Sequence, residues 1–515
     1  MEMMKESIPP ILRPRHVEPK AMTALVSNFD LKWHQAGETQ LLGISMNTAD
    51  LRPGDLFVAM PGLKTHGAKF AERAIELGAS AIVTDAAGTL LLEKIEIPVA
   101  ILEKPRTRLG ELAAWVYGNV EGLMPTLFAT TGTNGKTSTT YILDAILRQL
   151  GQVTGLTSTA ERHIASEVIV SRLTTPESTE MHSLIARMRE SNVESIAIEV
   201  SAQALTQLRV DGLRFDVAGF TNLSHDHLDD YGDMQTYFAA KAQLLKPQHA
   251  RRGVVCLDSE WGQRMLDAAE IEVVSISSDP AKQSDWKVCV TDETASQTSF
   301  SVTSPSGDSL ETFVTIIGAH MAHNAGLAIA MICESGVAFD EVKKAVAQGI
   351  KAYLPGRTER VTEESGPDVF VDFGHSPDAF LNTLAAVRKV TSGKVIMVFG
   401  ADGDRDASKR PAMAEVAARG CDLLVVTDHH PRFEDPASIR KTLVEAARSA
   451  RPELEIFEVS PPEAAIRKAV SLAKPGDSIL WAGPGHQDYR DIEGVRTPYS
   501  ARQEARDALR EAGWR

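Results

Sequence analysis

Short apolar runs, punctuated by glycine and proline, alternate along this chain with stretches of helical periodicity. After the turn Arg52-Pro53-Gly54-Asp55, the run LFVAM predicts a strand; a helix over 68–77 closes on Gly78, and a second strand falls at 81–84. Further on, strands at 127–130, 195–200 and 217–220 flank helices over 137–150 and 179–189. The stretch 286–314 alternates differently, with many Thr, Ser and Val, and reads as a small antiparallel insert or an edge extension of the same sheet. Past the Pro-Gly punctuation of Tyr353-Leu354-Pro355-Gly356, strands at 369–373, 394–399, 423–427 and 478–482 alternate with helices over 378–390, 411–420 and 439–450.

Strands alternating with helices predict parallel sheets, so the fold class is α/β. Three such blocks fit a chain of 515 residues, at roughly 100–200 residues per domain. The expected domains are 1–124, 125–354 and 355–515: an N-terminal α/β unit, a central ATPase-type parallel sheet and a C-terminal Rossmann-like unit. Such sheets bind ligands at the carboxyl ends of their strands. Two facing units joined by one linker suggest a cleft that opens and closes.

Composition adds exclusions. At 43% hydrophobic and 24% charged the chain is globular, and its net charge of −15 disfavours nucleic acid or an anionic membrane as a bulk partner. Cys256, Cys289, Cys333 and Cys421 lie far apart with no metal spacing, so they read as free thiols in a reducing compartment. The segment MEMMKESIPPILRPRH has no apolar leader core, and the longest apolar runs, near Ala328 and Val398, fall well short of the ~20 residues of a membrane span. The expectation is a cytoplasmic protein without membrane insertion.

The strongest local motif is Thr130-Thr131-Gly132-Thr133-Asn134-Gly135-Lys136-Thr137-Ser138, between a predicted strand and a predicted helix. Backbone N–H groups there can wrap phosphates at a helix N-terminus, with Lys136 reaching the outer phosphates and the Thr137 hydroxyl meeting Mg²⁺. A strict phosphate loop has glycine where Thr130 stands. Glu199, at a strand end, suits a hard cation. On local sequence alone, His227 reads as a structural histidine and Lys241 as a surface lysine on a helix.

The variant TGTNGKT resembles that of the ATP-dependent Mur ligases of peptidoglycan synthesis and of the related folylpolyglutamate synthetases. The resemblance continues in order along the chain, from about Leu41 to Arg506. GDLFVAMPG with HGAKF resembles the family's uridine-nucleotide domain; LTTPE at 173–177 resembles the segment that meets the muramoyl peptide; EVSAQAL at 199–205 resembles EVSSHAL. FTNLSHDHLD at 220–229, the YFAAK segment ending at Lys241, PGR at 355–357, DFGHSPD at 372–378 and GDRD with KRP at 403–411 follow. The set resembles the Mur ligases that add the third residue of the stem peptide.

The resemblance implies an ADP-forming acid–amino-acid ligase that activates a carboxylate as an acyl phosphate. It implies ATP and Mg²⁺ as cofactors, UDP-N-acetylmuramoyl-dipeptide and a free diamino acid as substrates, and a monomer. It assigns Lys136, Glu199, His227 and Lys241 to catalysis, with Thr137, Glu199, His227 and Lys241 at the metal and Lys241 carbamylated. It places Gly132, Thr133, Asn134, Gly135, Lys136, Thr137, Ser138, Asn324, Arg357 and Asp372 at ATP, and Thr48, Thr174, Thr175, Ser201, Gln203 and Arg209 at the UDP substrate. Met321 replaces the first asparagine of the adenine segment, and Asn47-Thr48-Ala49 replaces Asp-Ser-Arg.

Arg410, His430, Arg432, Gly483 and Gln487 are assigned to the incoming amino acid. Relatives that take meso-diaminopimelate carry Asp-Asn-Pro-Arg where this chain has His429-His430-Pro431-Arg432, and Gly-Lys-Gly-His-Glu where it has Gly483-Pro484-Gly485-His486-Gln487. Departures in both segments, one of them the loss of a glutamate charge that would meet a distal ammonium, point to a different amino acid: L-lysine, which lacks the distal carboxylate, with ornithine and meso-diaminopimelate as alternatives. Arg432 argues the other way, since it is the natural partner of a distal carboxylate. Ser460-Pro461-Pro462-Glu463, where relatives carry Asp-Arg, is a further departure. The competing readings are another Mur or folylpolyglutamate-type amide ligase and a non-catalytic nucleotide-binding paralogue.

Overall fold

Each third of the chain builds its own main sheet in the computed structural model, which describes residues 11–514. Most of the segment read for a leader therefore lies outside the described residues. The N-terminal sheet has the spatial order Lys32–Gln35, Val99–Ile101, Ala81–Thr84, Asp55–Ala59, Gly43–Ser45; only its first strand is antiparallel to its neighbour. Asp55–Ala59 is buried throughout, which is why it reads as a continuous apolar run. The helix expected at 68–77 is split. The His66 ring accepts from the Ala68 N–H and starts a tight turn, Gly67–Phe70, before the α-helix Ala71–Glu76 begins.

The middle sheet has eleven strands. Its parallel centre runs Thr154–Thr157, Ser195–Glu199, Thr126–Thr131, Phe215–Phe220, Ala250–Cys256, Glu272–Ser277. The stretch 286–314 is an edge extension of this sheet. Trp286–Glu293 pairs with Glu272–Ser277, and Thr298–Thr303 and Ser309–Val314 follow as antiparallel strands. Against this sheet packs the helix Ala319–Glu334, almost wholly buried from Met321 to Ile332. The apolar run near Ala328 is thus a core helix.

The C-terminal sheet has the order Glu359–Arg360, Asp368–Asp372, Ser478–Ala482, Val395–Phe399, Leu423–Val426, Glu455–Glu458, parallel except for the first strand. The departure at Ser460–Glu463 has a structural place: Pro462 opens the helix Pro462–Leu472, where a missing N–H costs nothing. Among the described residues, no helix is long and apolar enough to cross a membrane.

Candidate active site

The phosphate loop joins the strand Thr126–Thr131 to the helix Lys136–Gln149 at the centre of the middle sheet. Two glycines are demanded by it. Gly132 has φ +149°, and a Cβ there would stand 1.9 Å from Thr221 Oγ1; Gly135 has φ +84°, and a Cβ would stand 2.6 Å from Asn324 Oδ1. Asn324 is therefore packed on the loop and is buried. Two loop amides are already occupied: Thr133 N–H donates to Asn222 O and Asn134 N–H to Asn222 Oδ1. The helix beginning at Lys136 leaves its first N–H groups without intrahelical partners, which is the anion-binding feature of such a turn.

Around this loop the predicted polar residues converge. Arg357 Nη2 donates to Thr137 Oγ1 at 3.1 Å, and Thr137 donates to Glu199 Oε2 at 2.9 Å. Glu199, 2% exposed, also accepts from the Thr159 N–H and hydroxyl. Lys136 Nζ donates to Thr133 O at 2.8 Å; burial lowers its pKa, with Glu199 and Asp226 pulling the other way. Lys241 sits on the helix Met234–Ala242, 1% exposed. Its Nζ donates to Gly132 O at 2.7 Å and lies 4.4 Å from the centre of the Tyr237 ring. Burial, reinforced by Lys136, pushes the Lys241 amine well below the usual lysine range, against the pull of Asp226 and Glu199. Ser138 is buried behind the loop. His227 takes a left-handed conformation, φ +55°, and is nearly half exposed, with Nε2 3.7 Å from Asp226 Oδ2.

Asp372 grips the backbone. Oδ1 accepts from the Thr358 N–H and Oδ2 from the Gly374 N–H, which ties the 353–357 linker to its sheet. Across the cleft, Asn134 Nδ2 donates to Asp378 Oδ2 at 2.9 Å and Lys409 Nζ meets Asp226 Oδ1 at 3.0 Å. Asp226 stood unassigned within the DHLD stretch, and its role is legible only in the fold. The structure holds the middle and C-terminal units in contact at this cleft.

The residues expected at the UDP substrate divide. Thr174 Oγ1 lies 3.0 Å from Thr159 Oγ1, beside Glu199. Thr175 is fully buried and donates to Glu199 O. Ser201 caps the helix Ala202–Thr206, Gln203 bonds Asp230, and Arg209 pairs with Glu177 at 2.8 Å. Thr48 lies apart on the N-terminal unit, in the turn Thr48–Asp50; Asp50 of that turn binds Arg172 at 2.9 Å, next to the LTTPE segment.

Of the residues expected at the amino acid, His430, Arg432, Gly483 and Gln487 lie on the loops at the carboxyl ends of Leu423–Val426 and Ser478–Ala482, and Arg410 opens the helix Arg410–Gly420 that follows Val395–Phe399. Arg410 is held by Glu434 through both nitrogens, at 2.8 and 2.9 Å. His430 Nδ1 accepts from the Asp491 N–H, so Nε2 carries the proton and donates to Gln487 Oε1 at 2.8 Å. Burial and neighbouring His429 push the His430 pKa down to about 4, in keeping with a neutral ring. Gly483, φ +116°, donates to Asp372 O and turns the chain beside His429.

Thr137 and Glu199 offer hard oxygen donors 2.9 Å apart beside the phosphate loop, a donor set that fits Mg²⁺. Buried parallel-strand ends, a phosphate loop and a buried acidic side chain beside it together describe a nucleotide-using site facing a second α/β unit.

Comparisons with known proteins agree. Residues 41–117 match the model of the Mur ligase family catalytic domain, 130–332 the Mur ligase middle domain, and 356–485 the Mur ligase glutamate ligase domain. A UDP-N-acetylmuramyl-tripeptide synthetase of Leifsonia xyli is 52% identical over 510 residues, covering 98% of this chain and 99% of that protein. A UDP-N-acetylmuramoyl-L-alanyl-D-glutamate–2,6-diaminopimelate ligase of Streptomyces coelicolor is 39% identical over 480 residues, covering 92% and 93%. A solved structure of a ligase of the latter description superposes with a TM-score of 0.64 at 24% identity, covering 93% of this chain and 96% of that one. The chain belongs to the Mur ligase family and is an ADP-forming amide ligase of peptidoglycan synthesis.

Proposed function

We propose that this enzyme ligates a diamino acid, L-lysine rather than meso-diaminopimelate, to the D-glutamate of UDP-N-acetylmuramoyl-L-alanyl-D-glutamate, acting as a cytoplasmic monomer. In this reading 1–124 binds the uridine nucleotide, 125–354 binds ATP, and 355–515 brings the amino acid. The observation that carries the catalytic part is the buried relay Arg357–Thr137–Glu199 beside Lys136 and Lys241, placed at the cleft between the ATP-binding and amino-acid units.

Lys136 and the helix N-terminus hold the ATP phosphates while Arg357, from the linker, adds a cation as the units close. Thr137 and Glu199, with His227 and a carbamylated Lys241, would hold Mg²⁺, which would neutralise phosphate charge. The glutamyl carboxylate attacks the terminal phosphoryl group of ATP, the bond to the β-phosphate oxygen breaks and ADP leaves, and the carboxylate becomes an acyl phosphate. The amine of the incoming amino acid displaces phosphate, losing its proton, and the amide forms. Lys241 suits its modification because burial favours its neutral amine, the nucleophile that carbon dioxide requires.

Selection of lysine is supported by the neutral His430–Gln487 pair, which stands where a carboxylate would grip the distal centre of diaminopimelate. The test is an amino-acid panel scored by ADP release that depends on the muramoyl dipeptide. L-Lysine should exceed meso-diaminopimelate in kcat/KM. Preference for meso-diaminopimelate would overturn the specificity, and release independent of any amino acid would overturn the ligase reading.

A further inference from the structure

Asp402 stands at the floor of the amino-acid site, on the loop after Val395–Phe399, and neither the phosphate chemistry nor the His430–Gln487 pair uses it. Its Oδ1 accepts from His429 Nδ1 at 2.7 Å. Its Oδ2 makes no hydrogen bond among the described residues and has Arg432 Nη2 at 3.6 Å. The side chain is 27% exposed, so the carboxylate is within reach of solvent. Burial opposes ionisation, but His429, His430 and Arg432 more than reverse it and hold the carboxyl below the usual carboxylate range.

Arg432 is not free. It keeps a left-handed backbone, φ +50°, pinned by the hydrogen bonds Arg432 N–H to Asp491 O and Glu493 N–H to Arg432 O. From there Nη1 donates to Gly403 O at 2.8 Å, and the guanidinium faces Asp402 and Asp491 at 3.6 and 3.9 Å. One cation therefore meets two carboxylates, and the neighbouring Arg490 and Arg496 lie over the rings of Tyr499 and Tyr489. A distal carboxylate brought to Arg432 would have to settle beside Asp402 and Asp491. A lone terminal ammonium would instead complete the charge balance. Asp402, His429 and His430 also lie close enough to surround a cation. Both His430 nitrogens are already hydrogen-bonded, however, and His429 Nδ1 carries its proton toward Asp402.

We propose that Asp402 is a specificity-determining residue that accepts the terminal ammonium of the incoming amino acid and, by occupying Arg432, rejects side chains bearing a second carboxylate. This rests on the reading of the enzyme as the ligase of the third stem residue. It also accounts for Arg432 being present in an enzyme that favours lysine.

The test compares kcat/KM for L-lysine and meso-diaminopimelate, by ADP release, in wild type, Asp402→Asn and Asp402→Ser. Both replacements keep an acceptor for His429 and remove the charge, so either one that melts as the wild type does carries the test. The lysine-to-diaminopimelate ratio should fall about tenfold, through a raised KM for lysine, since a charged hydrogen bond becomes a neutral one. An unchanged ratio in a folded variant would overturn the role of Asp402 while leaving the lysine reading intact. A wild type that prefers meso-diaminopimelate would overturn both, and it shows before any variant is made.

Discussion

A lysine sealed from water beside a second lysine is an expensive place for two charges. Lys241 and Lys136 share such a place, with Glu199 and Asp226 as the nearest carboxylates. If Lys241 is carbamylated, the pair becomes an anion beside a cation, and Lys136 keeps the partner it needs. The expected outcome for Lys241→Ala is loss of ADP release, partly restored by millimolar short carboxylic acids that fill the gap. Lys241→Arg should stay inactive, because a guanidinium cannot form the carbamate; wild-type turnover in that variant would show that the residue acts as a plain cation. At this scale the spacing next to strand ends singled out Lys136, Thr137 and Glu199, and the fold sets them beside one another. It did not carry Asp402 or Asp226. Their partners, His429 and Lys409, lie 27 and 183 residues away in the chain, and only the fold brings them together.

The helix Ser178–Glu190 is fastened to the strand Glu161–Ile164 by a buried ion pair between Glu180 and Arg162, 5% and 1% exposed. Arg162 Nε and Nη2 have no other partner among the described residues. Removing the acid strands a buried guanidinium, so Glu180→Ala should cost about 3–5 kcal/mol. Denaturant unfolding followed through Trp261 and Trp286, in the same unit, measures it. The double variant Arg162→Met with Glu180→Leu should recover most of the loss, because apolar packing replaces such pairs at little cost. A loss below about 1 kcal/mol in Glu180→Ala would mean that water reaches Arg162. Elements like the neighbouring parallel strands were legible because burial on both faces writes an unbroken apolar run. The helix Ala319–Glu334 was not, because a helix buried on nearly all sides has no polar stripe to reveal its period. The hairpin Tyr489–Ile492 with Val495–Pro498 was missed for the opposite reason: it is half exposed and polar.

At the scale of the whole molecule, the proposed reaction requires the C-terminal unit to meet the middle unit, and several polar contacts join the two across the cleft. Lys409 from the C-terminal unit meets Asp226 at 3.0 Å with both side chains mostly buried, and His375 lies 4.0 Å from the same carboxylate. A buried pair of this kind loses little to salt, unlike the exposed pairs elsewhere on the surface. Burial works against the Asp226 charge, but His375 and Lys409 outweigh it and hold the carboxyl below its ordinary range. The sign follows: a depressed carboxyl favours the closed form at every pH above the ordinary aspartate value, and that contribution fades only as pH falls through the lower, closed-form value. Closure through the Lys409–Asp226 pair itself should therefore be flat between about pH 5 and pH 8, any change in that range coming from His375 and His227 beside it. Lys409→Met removes the lysine cation and leaves Asp226 only its histidine neighbours at the interface, so the units should separate. Small-angle scattering should show a larger radius of gyration, and KM for the amino acid should rise about tenfold or more. Scattering and kinetics indistinguishable from wild type would place the closing force elsewhere, in Arg357–Thr137 and Asn134–Asp378, which span the same cleft without a net charge pair.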